Sequence, residues 1–351
     1  MKSIIISLFL LLSLQSQALV VLQYHHVSDT GPVSTRVSPE RFRMHMQQIE
    51  KLGYRVVSID VLADALRKNV GLPDKAVVIT FDDGYHSIYE QAYPELKKRK
   101  WPFTVFINPE PHDVGRKTHM SWAQLKEMSA NGASIANHSW SHAHVLRRDT
   151  KDIDASLYFK EEIERTEKRI EQQLGYSLKL FAYPYGEYDS AIQKQLIKHG
   201  YLGFAQQSGA VPNDVSKEMI PRFPFGGVYG EKSDFLLKLK TLPFSGLKEK
   251  VYSEHGQLLS ESLLPSSVER PVVVLELGEQ LQASALNCFA SGQGGAQLDL
   301  INKNTAKVQA KKKLAVGRSR YNCTLRSNSG RYHWWSTTFI QKGKDGQWHH
   351  L

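Results

Sequence analysis

Two short segments hold the residue types that could do chemistry. Thr80-Phe81-Asp82-Asp83-Gly84-Tyr85 sets two carboxylates side by side, and His138-Ser139-Trp140-Ser141-His142 sets two imidazoles four residues apart. Together they supply one spare carboxylate, one metal-binding carboxylate and two imidazoles, the inventory for hydrolysis at a single metal ion. Two His and one carboxylate leave coordination positions open for water and substrate, which marks a catalytic rather than a structural site. A spacing of four is one helical turn, so both imidazoles can face one ion. Each motif alone has an ordinary reading, a turn for Asp-Asp-Gly and a solvated helix face for the His pair. Their order, spacing and strand context favour the chemical reading.

The elements that must position these groups follow from periodicity. Ala76–Phe81 is a continuous apolar and β-branched run, the pattern of a buried parallel strand. The aspartates fall at its carboxyl end, where α/β folds place their sites. Neighbours on extended backbone point in different directions, so one carboxylate can hold a metal while the other stays free as a base. Further strands are predicted over 20–24, 54–59, 102–107, 133–137 and 178–183. Helices are predicted over 39–52, 61–68, 87–100, 122–130, 153–174 and 190–199, the first opened by Ser38 as N-cap and Pro39 at the first helical position. This alternation predicts a parallel α/β architecture with every candidate at a strand end. His25, in Tyr24-His25-His26, ends the first strand and would join the aspartates if the two strands are neighbours.

After about residue 245 the pattern changes. Residues 247–264 have no clear period and read as a linker with some helix. Short strand candidates follow at 272–277, 280–289, 296–301, 307–314 and 334–340, with Gly and Asn between them, which suggests a small β-sandwich. Trp334 and Trp335 cannot face the same way on one strand. With Tyr332, His333 and Trp348 they could stack on a glycan or form a small core.

The two motifs resemble the first two of the polysaccharide deacetylase family, the NodB homology domain of carbohydrate esterases, over roughly residues 20 to 240. The resemblance implies a distorted, incomplete (β/α) barrel that removes N-acetyl groups from amino sugars. It implies Asp82 as general base and Asp83, His138 and His142 as ligands of one divalent metal ion. Zinc suits that donor set, and nickel, cobalt or iron fit the same ligands. The early Tyr24-His25 is similar to the subgroup acting on poly-β-1,6-N-acetylglucosamine and would make His25 the general acid that an amide leaving group requires. Phe181-Ala182-Tyr183-Pro184-Tyr185-Gly186 resembles the third motif, but Ala182 stands where the family has an arginine that orients the base. Arg222, in Pro221-Arg222-Phe223-Pro224, is the candidate replacement. Tyr185 could offer its backbone N–H to an oxyanion, and Trp122 and Trp140 could form sugar-stacking walls.

Composition bounds the rest. Lys2, the apolar Ile4–Leu14 and Ser16-Gln17-Ala18 read as a secretory signal peptide over 1–18, too short to span a bilayer. The expected division is a deacetylase domain over 19–245, a linker over 246–268 and a β-rich accessory module, with a possible carbohydrate-binding role, over 269–351. In an exported chain the only two cysteines, Cys288 and Cys323, are expected to pair. The net charge of +10 suits an association with anionic cell surfaces or export machinery, and equally plain solubility. Nothing resembles a nucleic-acid-binding module, and no later run is long and apolar enough for a membrane helix. The expected partner is a polysaccharide, with biofilm poly-β-1,6-N-acetylglucosamine first and chitin fragments or peptidoglycan as alternatives. A glycan-binding protein that has kept the fold without the activity is the reading of another class. A glycoside hydrolase would need carboxylates flanking the bond, which adjacent Asp82 and Asp83 do not provide.

Overall fold

The computed structural model describes residues 18–148, 153–343 and 345–348. All but the last residue of the expected signal peptide lies outside them. Its first half is built on one sheet, with strands β1 (Leu19–Tyr24), β2 (Arg55–Val56), β3 (Ala76–Phe81), β4 (Phe103–Ile107), β5 (Ala133–Asn137), β6 (Leu180–Ala182), β7 (Leu202–Phe204) and β8 (Phe223–Pro224). The order is β8-β1-β3-β4-β5-β6-β7, with β2 also on β3, and every pairing is parallel. Ile220 bridges to Phe204 just before β8 pairs with β1. The sheet therefore curls toward closure without completing a regular barrel, as the α/β expectation required.

Strand parity explains where the site lies. Leu19 and Val21 of β1, with Ala76 and Val78 of β3, belong to one apolar cluster together with Phe106, Leu202, Phe204 and Ile220. Val20, Leu22, Tyr24, Val77, Ile79 and Phe81 point the other way, into a second cluster with Phe42, Met46, Leu125 and Leu239. Continued by twos, the first row runs into Gln23, Thr80 and Asp82, all fully buried. One face of the sheet is thus apolar through its body and polar at its carboxyl end.

Helix α1 (Pro39–Lys51) starts as its sequence demands, with the Ser38 hydroxyl accepting from the Arg41 N–H at 3.2 Å. Trp122–Ala130 and Ser190–His199 form helices at the expected bounds. The strand expected over 54–59 is only two residues long, because Ile59 already begins a helix (Ile59–Lys68) whose apolar stripe packs into the first cluster.

The second half is two antiparallel sheets. One has five strands, β9 (Lys248–Tyr252), β10 (Leu258–Leu259), β11 (Val272–Glu276), β12 (Gln297–Leu300) and β13 (Thr305–Gln309). The other is built on Leu286–Ala290, Gly317–Arg326 and Tyr332–Gln341, with Gly294–Gly295 at its edge. Val273, Leu275 and Val308 of the first sheet share one core with Leu286, Tyr321, Cys323 and Trp335 of the second, as a β-sandwich requires. Residues 247–264, read as a linker with some helix, instead hold strands β9 and β10, and β9 pairs along its whole length with β11. Cys288 and Cys323 face each other on paired strands and form the expected disulfide. Trp334 and Trp335 do point apart, Trp334 against Phe223 and the barrel cluster, Trp335 into the sandwich core. Among the described residues no helix is long and apolar enough to cross a membrane.

Candidate active site

Because β1 and β3 are neighbours, Tyr24 pairs with Phe81 and the residues just beyond them meet. Asp82 lies at 0 % exposure. Arg222, also fully buried, grips it with two parallel bonds, Nη1 to Oδ1 at 2.7 Å and Nη2 to Oδ2 at 2.9 Å. The Arg222 Nε–H donates to the Ala205 carbonyl at 2.9 Å, so the guanidinium is itself held in place. Gln23 Nε2 adds a third donor to Asp82 at 2.6 Å. Burial works to raise the Asp82 carboxyl, but Arg222, with His138 and His25, outweighs it and holds the group below its ordinary value. His25 stands at the rim, its Nε2 4.0 Å from Asp82 Oδ2.

Asp83 turns the other way through a left-handed backbone, with φ of 71° at Asp83 and 70° at Gly84. Its Oδ1 is 3.3 Å from Nε2 of both His138 and His142. Asp83, His138 and His142 are the one group of three or more such donors, among the described residues, whose ligand atoms converge within 4.8 Å. His138 is fully buried and donates its Nδ1–H to the Ala182 carbonyl at 2.8 Å, which turns Nε2 toward Asp83. Burial lowers the ring's pKa, but Asp82 and Asp83 outweigh it and raise it, so a metal ion at Nε2 would replace a proton. Burial, then the neighbouring His138, lowers His142 to about 4, so its ring is neutral and ready to ligate at neutral pH. Asp83 Oδ1 and His138 Nε2 are both buried with no hydrogen-bond partner. Such orphaned atoms, facing one another, are what a metal ion would satisfy.

One expectation is corrected. The two imidazoles converge without a helix, since residues 138–144 form none. Positive φ at Ser139 (67°) and His142 (57°) folds the loop back on itself, and the rings stand 4.8 Å apart. Tyr185, at φ 57°, reaches the same place, its ring 4.4 Å from His142 and stacked at 3.8 Å on His144. The tryptophans lie off this cluster. Trp122 donates to Asp113 at 2.8 Å, and the Trp140 ring carries the Arg165 guanidinium at 3.6 Å. A stacking face on Trp140 is therefore already taken on one side.

Several contributors were not foreseen. Gln23 carried a signal, since a Gln inside an otherwise apolar strand needs a partner. Tyr85 stacks on His26 at 3.6 Å and lies 4.9 Å from His119; burial and the adjacent Asp83 push its phenol well up. Arg318 crosses from the C-terminal sheet to the Tyr185 carbonyl at 2.5 Å and Gln206 Oε1 at 3.1 Å. No local pattern in the sequence announces that contact.

The family model for polysaccharide deacetylases matches residues 69–204. The Bacillus subtilis (strain 168) protein YxkH, which carries the name of the same family, is 31% identical over 197 residues, 56% of this chain and 67% of its own. The chain belongs to the polysaccharide deacetylase family. The poly-beta-1,6-N-acetyl-D-glucosamine N-deacetylase of Escherichia coli (strain K12) is 26% identical over 243 residues, 58% of this chain but 36% of that protein. This chain thus spans about a third of that relative. Among solved structures, IcaB from Ammonifex degensii is 28% identical with a TM-score of 0.53, over 63% of this chain and 97% of that one. The span matched to the deacetylase model holds the three candidate metal ligands, Asp82 and Tyr185. His25, just past the neighbouring strand β1, and Arg222, just before β8 on the far side of β1, lie outside it.

Proposed function

We propose that this protein is a metal-dependent N-deacetylase of an N-acetylglucosamine polysaccharide, with the β-1,6-linked polymer of biofilm matrix as its substrate. The observation that carries the reading is the division of labour between adjacent carboxylates. Asp82 is ionised, clamped and aimed by Arg222, while Asp83 faces two imidazoles. The relatives' names favour the β-1,6-linked substrate, and the strand-end His25 agrees with it. A divalent ion held by Asp83, His138 and His142 would polarise an acetyl carbonyl and ease deprotonation of water; the donor set suits zinc, with nickel, cobalt or iron also able to occupy it.

This chain's own residues then have separate tasks. Asp82 accepts a proton from the attacking water, and Arg222 with Gln23 keeps its carboxylate ionised and fixed. His25, on the rim beside Asp82, gives a proton to the departing amine, so that acetate and a free amino sugar result. The backbone N–H of Tyr185 faces the oxyanion. Trp122 and Trp140 guide the chain at the margin. In this reading residues 19–245 are the deacetylase domain, 269–351 the accessory module, and the signal over 1–18 exports the protein to the periplasm or beyond, where an export-machinery or cell-surface association would serve the polymer.

Acetate release from β-1,6-linked N-acetylglucosamine oligomers tests the reading, comparing metal-loaded, chelated and Asp82→Asn protein. Release that needs both the metal and Asp82 supports it. Release only from β-1,4 oligomers would keep the reaction and move the substrate to chitin or peptidoglycan. Binding of either without release would favour a glycan-binding protein.

A further inference from the structure

A second cleft, of about 660 Å³, lies away from the metal-site residues, between the flank of the barrel and the C-terminal sheets. Its volume is in the range of ligand sites. Tyr188, Phe244, Trp334 and Trp335 line it, and Tyr188 follows Tyr185 of the mouth by three positions in the chain. Three carboxylates also line it, Asp214, Glu249 and Glu261, with Lys250 as the cation. Each carboxylate is anchored by one N–H. Gly246 donates to Asp214 at 2.8 Å, the Trp335 indole to Glu249 at 2.5 Å and Ser190 to Glu261 at 2.9 Å. None of the three is in an ion pair among the described residues.

Two further atoms lack partners. Gln207 lines the cleft at 7% exposure, and its Oε1 is buried without a hydrogen bond, as is the Trp334 indole nitrogen. A buried polar atom left unpaired is costly, so these two mark places where a polar ligand would gain. A fitting ligand combines an apolar face for this lining, hydroxyls that bond to Gln207 and Trp334, and positive charge. A basic chain of net +10 that nevertheless presents an acidic, aromatic cleft is complementary to an amino sugar with a free ammonium group.

We propose that this cleft holds a deacetylated stretch of the polysaccharide, the product of the reaction at the barrel mouth. The identity of the ligand rests on the deacetylase reading; the preference for a cationic sugar rests on the cleft alone. It would retain the processed end of the polymer while the mouth works on the next acetylated residue.

The test uses full-length, metal-chelated protein titrated with glucosamine oligomers and with N-acetylglucosamine oligomers of the same linkage and length. Tryptophan fluorescence and calorimetry report binding. The glucosamine oligomers should bind at least about tenfold more tightly, a preference that weakens with added salt. In Glu249→Gln/Glu261→Gln the preference should vanish while acetate release from short oligomers persists, since glutamine keeps the oxygens that accept from Trp335 and Ser190. Equal binding of the two oligomers, or a preference untouched by the double substitution, overturns the proposal. Charge-selective binding without any acetate release would sink the proposed reaction and leave the cleft standing, whereas release without such binding would sink the cleft alone.

Discussion

Asp82 and Asp83 are neighbours in the chain, yet they stand in two differently built halves of the mouth. The Asp82 half is complete within the protein: two guanidinium bonds and one amide bond satisfy a carboxylate with no exposure. The Asp83 half is incomplete, with a carboxylate oxygen and an imidazole nitrogen buried, facing each other and unpartnered. The first half holds a charge already matched by the protein, and the second a donor set that a cation would match. A candidate metal donor set is marked by what it leaves unsatisfied, and a candidate base by what keeps it ionised.

The sharpest way to break the comparison is to remove each carboxylate in turn. Asp83→Ala should abolish metal binding and with it all measurable acetate release, with metal content read by mass spectrometry. Asp82→Asn should keep the metal and still lose about 10²–10⁴-fold in kcat, the worth of a positioned base. If Asp82→Asn also emptied the metal site, the two halves would not be separable.

Arg222→Met comes next. Removing one partner of a buried pair costs about 3–5 kcal/mol of stability, because the other charge is stranded. The sign with pH follows from Asp82. Its folded pKa is depressed in the native protein, so its stabilising contribution is present above about pH 4 and lost as pH falls through the folded pKa. Without Arg222, burial dominates and the group prefers its proton. The gap between native and variant protein should therefore be widest at neutral pH and narrow toward pH 4, as urea unfolding of the chelated proteins would show. A pH-independent gap would mean that Arg222 acts by packing alone.

Much of the mouth was legible in the sequence because parallel strands give strong signals. Ala76–Phe81 is apolar throughout, so its carboxyl end, and hence Asp82 and Asp83, could be placed in advance. Ala133–Asn137 placed the His pair in the same way. Short strands were not readable. Leu202–Phe204 and Phe223–Pro224 are three and two residues long, too short for a period, although the second carries Arg222 to Asp82. The ten-residue strand Gly317–Arg326 was missed for another reason. Its buried Ser319, Tyr321, Cys323 and Leu325 alternate with polar residues, a real period of two hidden by low overall hydropathy. The loop geometry at Ser139 and His142 was not visible either, because positive φ at residues other than glycine is set by tertiary contacts rather than by propensity.

The finest test concerns the rim, where His25 belongs to the Asp82 half by contact but is proposed to serve the leaving group. Its Nε2 lies 4.0 Å from Asp82 Oδ2, a distance at which it could merely support the base. The two roles separate by leaving group. An amine leaves only when protonated, whereas an aryl oxide leaves without help. His25→Gln should therefore lower kcat on N-acetylated oligomers by about 10²-fold and leave hydrolysis of an aryl acetate nearly unchanged, with metal content intact. If His25 instead supported Asp82, both substrates would slow alike, because water attack is common to the two reactions. The ratio of the two losses thus assigns His25 to proton delivery or to the clamp, independently of how large either loss is.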